Sequence, residues 1–276
     1  GVGDTKTINF CGIESSSESN TGRLEFKVDT SGLENVVVDG TITGGINVRR
    51  STITVGSGPS ADYTDLQTAV DKACNNEIVR IEPGVYNQNM TFQKDVIIEG
   101  EGAVLDGTGL SGAGILVEAG EDISPTIRDL EVRNFRDAIF TYAGQGDWTL
   151  ENLTLHNNSE DGIDFYKTTG DWVVRDSVVR DNAEDGINGK RSTGDWTIDN
   201  VEFSNNNYHV NAVEAEGNWT VQNSDLSDEG STSITATSSV YTGDATRNWW
   251  GQASGPTAGQ YDGNVNVSNH CTSSSC

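Results

Sequence analysis

At 276 residues, with 42 acidic against 17 basic side chains, the chain carries a formal charge of −25, which repels nucleic acid and anionic lipid and excludes both as partners held by charge. No stretch approaches the ~18 apolar residues of a membrane span, so no membrane insertion is expected, and the length suffices for one domain with a sizeable core. Only six of the 17 basic residues are lysine. That balance fits a protein of a very salty habitat, where dense carboxylates stay hydrated and salt screens their repulsion; the alternative is an ordinary acidic secreted protein. No signal-peptide pattern opens the chain, which is read as starting after processing.

Residues 1–50 alternate like strands at Thr7–Phe10, Leu24–Val28 and Val36–Val38 between Gly/Ser-rich turns, and the polar run Glu14–Asn20 reads as a solvated hairpin tip. This region is expected to be a small β module or an assembly arm. Residues 51–256 are expected to form the main body. After Ile53–Val55 comes a Gly/Pro/Ser break, and then Leu66, Ala69, Val70 and Ala73 fall at helical spacing. A helix over 64–74, with Thr64 as its cap, would cover the exposed core and open strand edge of a solenoid's first coil.

The body is organised by Gly-Asp/Asn-Trp at 146–148, 170–172, 194–196 and 217–219, with spacings of 24, 24 and 23 residues. A fixed period in this range means units that bury their apolar faces only by stacking on one another. Each unit holds three short period-two runs, which are strands. Aligned on the tryptophan, they give columns Leu150/Val174/Ile198/Val221, Leu155/Val179/Phe203/Leu226 and Ile139/Ile163/Ile187/Val210, stacked at about 4.8 Å. That is the layout of an all-β, single-stranded parallel β-helix, right-handed because parallel crossovers almost always are.

The same alignment puts Asp137, Asp161 and Asp185 in one column, with Asp164 beside Asn188 and basic Lys167, Lys190 and Arg191 just downstream. Carboxylates stacked about 5 Å apart raise one another's pKa, which can make a general acid and base, or they can share Ca²⁺. The alternative is that they are turn aspartates on an acidic surface. The column Trp148/Trp172/Trp196/Trp219 could stack sugar rings, but residues two apart in a strand point the same way, and the partners Leu150, Val174, Ile198 and Val221 place these rings in the core. Asn134, Asn157, Asn182 and Asn205 align as a ladder of stacked amides at a turn. His156 and His209 fall on different turns and assemble no catalytic pair.

Trp249 and Trp250 are expected to close the C-terminal end, leaving 257–276 as a tail. Cys11, Cys74, Cys271 and Cys276 lie outside the repeats without metal-binding spacing, so disulfides are expected. Three connectivities are open, of which Cys11–Cys74 with Cys271–Cys276 is preferred. Asn-x-Ser/Thr acceptors occur at Asn89, Asn152, Asn157, Asn218 and Asn266, about the number that composition gives by chance; Asn152 and Asn157 are the more accessible glycosylation candidates.

Ile53–Gly107, with Tyr63–Val70, Ile78–Tyr86 and Asp95–Gly102, resembles the opening of the pectate-lyase-like superfamily of right-handed β-helix proteins, in particular pectin methylesterases and NosD-like repeats. Ala245–Pro256, containing Asn248-Trp249-Trp250-Gly251 and Ser254-Gly255-Pro256, is similar to the ending of archaeal and bacterial surface β-helix proteins. The resemblance covers roughly 53–256 and implies the fold. It implies no activity: of the methylesterase Gly-x-Tyr-x-Glu, the chain keeps Gly84 and Tyr86 but has Gln88 for the Glu, and the paired catalytic aspartates have no match. Of the polygalacturonase signatures, only Asn-Thr-Asp-Gly has a partial counterpart, in Glu160–Asp164.

Two functions from different classes remain. The first is a non-enzymatic extracellular or surface protein of a halophile, an appendage, envelope or viral-spike subunit, self-associating or joined to other envelope or virion proteins. The second is a polysaccharide lyase or glycoside hydrolase using Asp137, Asp161, Asp164, Asp185 and Lys190.

Overall fold

The computed structural model describes residues 52–227 and 232–274, with the strands Ile13–Ser16 and Gly45–Val48. Contacts divide the chain into two compact units, Gly1–Ser51 and Thr52–Cys276. In the first, the two strands pair antiparallel, Ile13 opposite Val48 and Ser16 opposite Gly45. Glu14, Ser15 and Ser16 therefore belong to a strand, and the hairpin tip does not begin at Glu14. The other strands expected in this region lie outside the described residues.

The second unit is a parallel β-solenoid of about nine turns, with an eight-stranded and a twelve-stranded sheet. Register follows the expected columns: Leu150 opposite Val174, Val174 opposite Ile198, Ile198 opposite Val221, and Ile139, Ile163, Ile187 and Val210 in line on the short sheet. These side chains are all fully buried. The three apolar runs of each coil make two sheets rather than three. A single corner residue is all that separates the first two runs, so Trp172–Arg180 passes through it as one strand.

Corner conformation explains the polar spacing. Asp129, Asn152, Asp176, Asn200 and Asn223 hold φ of 51–59° at one corner, and Asn134, Asn157, Asp181 and Asn205 hold 53–59° at the next. Asn and Asp enter this left-handed region at least cost among residues with a side chain. Their side chains also bond up the column, as from Asn152 to Asp129 (2.6 Å), Asn200 to Asp176 (2.7 Å) and Asn205 to Asp181 (2.9 Å). At the third corner Ala143, Lys167, Arg191, Glu214 and Ser238 hold φ of 53–62°, although the backbone would favour Asn or Gly there.

The expected amide ladder exists one residue away from where the alignment put it. Asn134, Asn157 and Asn205 share their corner with Asp181, whereas Asn182 lies in a buried ladder with Asn158 and Asn206. Asn182 Oδ1 accepts from the Asn158 side chain (2.8 Å) and backbone N–H (3.2 Å), while its Nδ2 donates to Asn206 Oδ1 (3.0 Å). Asn182→Ala strands these buried groups, each worth ~1–3 kcal/mol when unsatisfied. Chemical unfolding should show a loss of about 3 kcal/mol at unchanged m-value, and a loss under about 0.5 kcal/mol would remove the ladder from the account.

On the outside of the long sheet, one column reads Arg80, Glu99, Arg128, Glu151, Arg175, Asp199. Burial acts to raise the Glu99 carboxyl, but hydrogen bonds from Arg128 and Arg80 outweigh it and hold the group below its ordinary range. Alternating signs fix which coil stacks on which, since a slip by one coil opposes like charges.

The N-terminal helix is Leu66–Lys72, shorter than the expected 64–74, and its cap is Asp65, whose carboxylate accepts from Thr68 N–H. Leu66, Ala69 and Val70 are buried against the core. At the other end, Tyr261–Gly263 and Val265–Asn266 continue both sheets, so the solenoid extends through residues expected as a tail. Trp250 is buried and packs edge-on against Tyr261 of the following coil, 6.2 Å between centroids, so it does not form the end. Cys74 and Cys271 are both disulfide-bonded; the other member of each expected pair, Cys11 and Cys276, lies outside the described residues.

Candidate functional site

Asp137, Asp161 and Asp185 stand in one column at the start of the short-sheet strands, with exposures of 1%, 3% and 6%. Each carboxylate accepts the backbone N–H of the equivalent residue one coil on: Asp161 N–H to Asp137 Oδ1 (3.1 Å) and Asp185 N–H to Asp161 Oδ1 (2.7 Å). The second oxygens are also used, Asp161 Oδ2 by Asn188 Nδ2 (3.2 Å) and Asp185 Oδ2 by Asn211 Nδ2 (2.7 Å). Asp137 Oδ2 takes Arg136 Nε at 2.8 Å.

Asp164 breaks this pattern. By strand register, Asp164, Asn188 and Asn211 are equivalent, so the position that elsewhere presents an amide to the preceding aspartate here presents a carboxyl towards Asp137. Burial, and next the Asp137 charge, push the Asp164 carboxyl up to about 7. Burial and then the Asp185 charge push Asp161 up to about 8, and burial pushes Asp185 up to about 6 against the hydrogen bond from Asn211. Around neutral pH Asp161 and Asp164 therefore retain protons that ordinary aspartates have lost.

Sequence reasoning singled out these aspartates but passed over the aromatic side chains beside them. Tyr142 and Tyr166 lie on successive coils with ring centroids 5.7 Å apart. Lys167 donates to Tyr142 Oη (3.1 Å) and lies 5.4 and 5.2 Å from the two ring centroids. Arg191 donates to Tyr166 Oη (2.9 Å) and pairs with Glu214, and Arg136 lies over the Phe140 ring at 5.0 Å. Lys190, one coil beyond Tyr166, makes no side-chain hydrogen bond among the described residues, and its charge acts on Asp185 and Glu214. The 24-residue spacing of Tyr142 and Tyr166 was the signal that could have found this strip.

The remaining candidates are structural in placement. Trp148, Trp172, Trp196 and Trp219 are 2–3% exposed, and the last three form a continuous stack at 4.5 and 5.2 Å with interplanar angles of 7° and 10°. His156 is buried against Glu131 (3.1 Å) and His209 stacks on Phe203 at 5.4 Å, on separate coils. All five glycosylation candidates are exposed, and the Asn152 and Asn218 amides donate to Asp129 and Asp195.

Among the described residues no three Asp, Glu, His or Cys side chains converge on one point, as Ca²⁺ would require. A 450 Å³ hollow runs along Asp147, Asp171 and Asp195, and one of 510 Å³ lies by Glu101, Asp129 and Glu131. Neither touches Asp161 or Asp164.

Stacked parallel coils with a buried aspartate column at the start of the short-sheet strands define a β-solenoid held by polar ladders. A right-handed β-helix region is matched over residues 137–276, just over half of the sequence, and the chain belongs to that family. A solved structure of pectate lyase Pel9A is similar at a TM-score of 0.46 and 17% identity, covering 81% of this chain and 80% of that one. Among curated proteins no match is found.

Proposed function

We propose that this is a non-enzymatic extracellular protein: a rigid acidic β-helix that serves as a structural or adhesive subunit on the surface of a cell or virion adapted to high salt. The observation that carries this reading is that both oxygens of Asp161 are bonded within the solenoid, and that Asp185 is bonded there by Asn211 and the Tyr208 backbone. They are nearly inaccessible, so they hold coils together instead of meeting a substrate. Surface context and self-assembly are supported by the acidic, lysine-poor composition and by the solenoid's capacity for end-to-end strand pairing.

The competing reading, a polysaccharide lyase or hydrolase, is favoured by Asp164, a half-buried carboxyl poised near neutrality. Incubating the purified chain with acidic polysaccharides, with release of unsaturated products and reducing ends as readouts, separates the two. No turnover is expected, together with oligomers or rods in negative stain. Turnover abolished by Asp164→Asn or Asp161→Asn would establish the enzyme instead. Dialysis into dilute buffer should erode the far-UV signal, and unchanged cooperative unfolding there would remove the high-salt element of the proposal.

A further inference from the structure

We infer that Asp164 is a proton-operated latch between two coils: protonated, it donates its carboxyl O–H to Asp137 on the preceding coil, and ionised, it opposes Asp137 and loosens that one junction. Such a latch operates under either reading of the function.

The first support is what the equivalent side chains do. Asp164, Asn188 and Asn211 occupy the same register position on successive coils. In all three, Oδ1 accepts the backbone N–H two residues on, from Tyr166 (3.1 Å), Lys190 (3.2 Å) and Val213 (3.1 Å). That bond fixes the side chain's orientation and leaves its second terminal atom facing the ladder aspartate of the preceding coil. For the two asparagines this atom is Nδ2, which donates to Asp161 Oδ2 at 3.2 Å and to Asp185 Oδ2 at 2.7 Å. For Asp164 it is Oδ2, and the group it faces is Asp137. Two carboxyl oxygens so placed bond only if a proton lies between them; otherwise two charges oppose each other in a desolvated site.

The second support is the set of charges around the pair. Asp137 is buried, with Oδ1 accepting Asp161 N–H (3.1 Å) and Oδ2 accepting Arg136 Nε–H (2.8 Å). Arg136 favours ionised Asp164, but it is divided between Asp137 and Glu160, whose carboxylate lies 3.5 Å away. Against it stand Asp137 from the preceding coil, Asp185 from the next, and Asp161 on the same coil, where the Asp164 charge also acts. Phe140 and Asn188, the register neighbours of Asp164, bring no charge. Burial, and next the Asp137 charge, push the carboxyl up to about 7, so the latch opens as pH rises through neutrality.

The third support is where the latch sits. Its strand, Ile163–Asp164, is the shortest of the eight-stranded sheet and pairs with the preceding coil only through Ile139 opposite Ile163 and Phe140 opposite Asp164. On the long sheet, by contrast, Trp172–Arg180 pairs with the following coil at eight positions. One lost bond is a large share of so short a junction, and loosening is therefore local. The N–H groups of Ala138 and Ile139, which donate across it to Asp161 O and Gly162 O at 3.2 Å, open first.

The test is hydrogen exchange of the full chain, read by mass spectrometry at pH 6 and pH 8.5 at fixed ionic strength and corrected for the intrinsic pH dependence of exchange. In the wild type, protection of residues 137–141 should fall about tenfold at the higher pH. Asp164→Asn installs the residue that the repeat itself uses at 188 and 211, and should keep the wild-type pH 6 protection at both values. Asp164→Ala has neither proton nor charge, so it should lack that protection at both, by about the same factor. Asp185→Asn, a carboxyl of the following coil, should keep the wild-type fall. Circular dichroism establishes that each variant is folded. The inference is overturned by wild-type protection that does not change with pH, by a fall that persists in Asp164→Asn, or by one that disappears in Asp185→Asn. An Asp164→Ala protein as protected as wild type at pH 6 would overturn it too, because repulsion without a bond would then account for the site.

Discussion

Acidification from pH 8 to pH 5 stabilises the solenoid by about 3–5 kcal/mol, raising its Tm by roughly 10 °C. The groups responsible are Asp161, Asp164 and Asp185, whose carboxyls are raised to about 8, 7 and 6 by burial and, for the first two, next by the neighbouring aspartate. An unfolded aspartate ionises near 3.8, so between pH 4 and the folded values the native state holds about three more protons than the unfolded one. Stability from these groups is complete below the unfolded value and lost as pH rises through the folded values. The facing charges oppose one another only in part: Arg136 lowers Asp164 and Lys190 lowers Asp185, while Glu184 adds to the rise at Asp185.

Below pH 4 a second set works in the opposite sense. Asp106, bonded to Thr108 and Asn134, is held far below the ordinary carboxylate range, and Asp65, bonded to Thr68, is lowered as well. Their contribution is present above the unfolded value and lost as pH falls. Maximum stability is therefore expected near pH 4–5, well below neutrality. Calorimetry across pH 3–9 at fixed ionic strength measures it. Asp161→Asn keeps an acceptor for Asp185 N–H but cannot titrate, so its profile should be shallower and its Tm at pH 8 at or above wild type. A Tm that is flat or rising from pH 5 to 8 would contradict the protonated column.

Much of this was legible in the sequence, for a physical reason. In a solenoid every coil meets the same environment, so a period of 24 and an aligned tryptophan suffice to stack Leu150 on Val174 and Asp137 below Asp161. What escaped depended on offsets of one residue. Asn157 and Asn158 are adjacent, and only backbone geometry decides that Asn157 takes the left-handed corner while Asn158 turns into the ladder. The end of the solenoid was misplaced because Tyr261–Gly263 is a single short strand too brief for period-two alternation to register. The Tyr142/Tyr166 pair carried only its 24-residue spacing as a signal, and its contact with Lys167 follows from the geometry of the corner.

Gly194→Ala should cost about 3 kcal/mol or more, far beyond the ~1 kcal/mol in the stabilising direction that propensity alone would suggest for removing a glycine. A Cβ on Gly194 would lie 2.1 Å from the Gly170 carbonyl oxygen, and one on Gly217 would lie 1.9 Å from that of Gly194. The obstacle is the backbone of the neighbouring coil, which has no rotamer to change. It is also held on both sides: Trp172 N–H bonds Asp195 O (3.1 Å), Trp196 N–H bonds Asn218 O (2.9 Å), and Asp195 N–H bonds Asp171 Oδ1 (2.7 Å).

Relief of the clash requires opening the coils by about 1 Å, at the cost of these hydrogen bonds and of the stack through Trp172, Trp196 and Trp219, whose ring pairs each contribute ~0.5–1.5 kcal/mol beyond burial. This explains why the repeat is a tripeptide: glycine admits the neighbouring backbone, Asp or Asn ties N–H to carboxylate between coils, and tryptophan fills the core directly behind. Because each coil touches only its neighbours, hydrogen exchange in Gly194→Ala should accelerate around 170–220 before it does around 78–105. Thr193→Ala, exposed and one residue away, should stay within about 0.5 kcal/mol of wild type. A Gly194→Ala protein melting with wild type would mean that the glycines are not in contact, and the Asp147–Asp171–Asp195 ladder would lose its geometric basis with them.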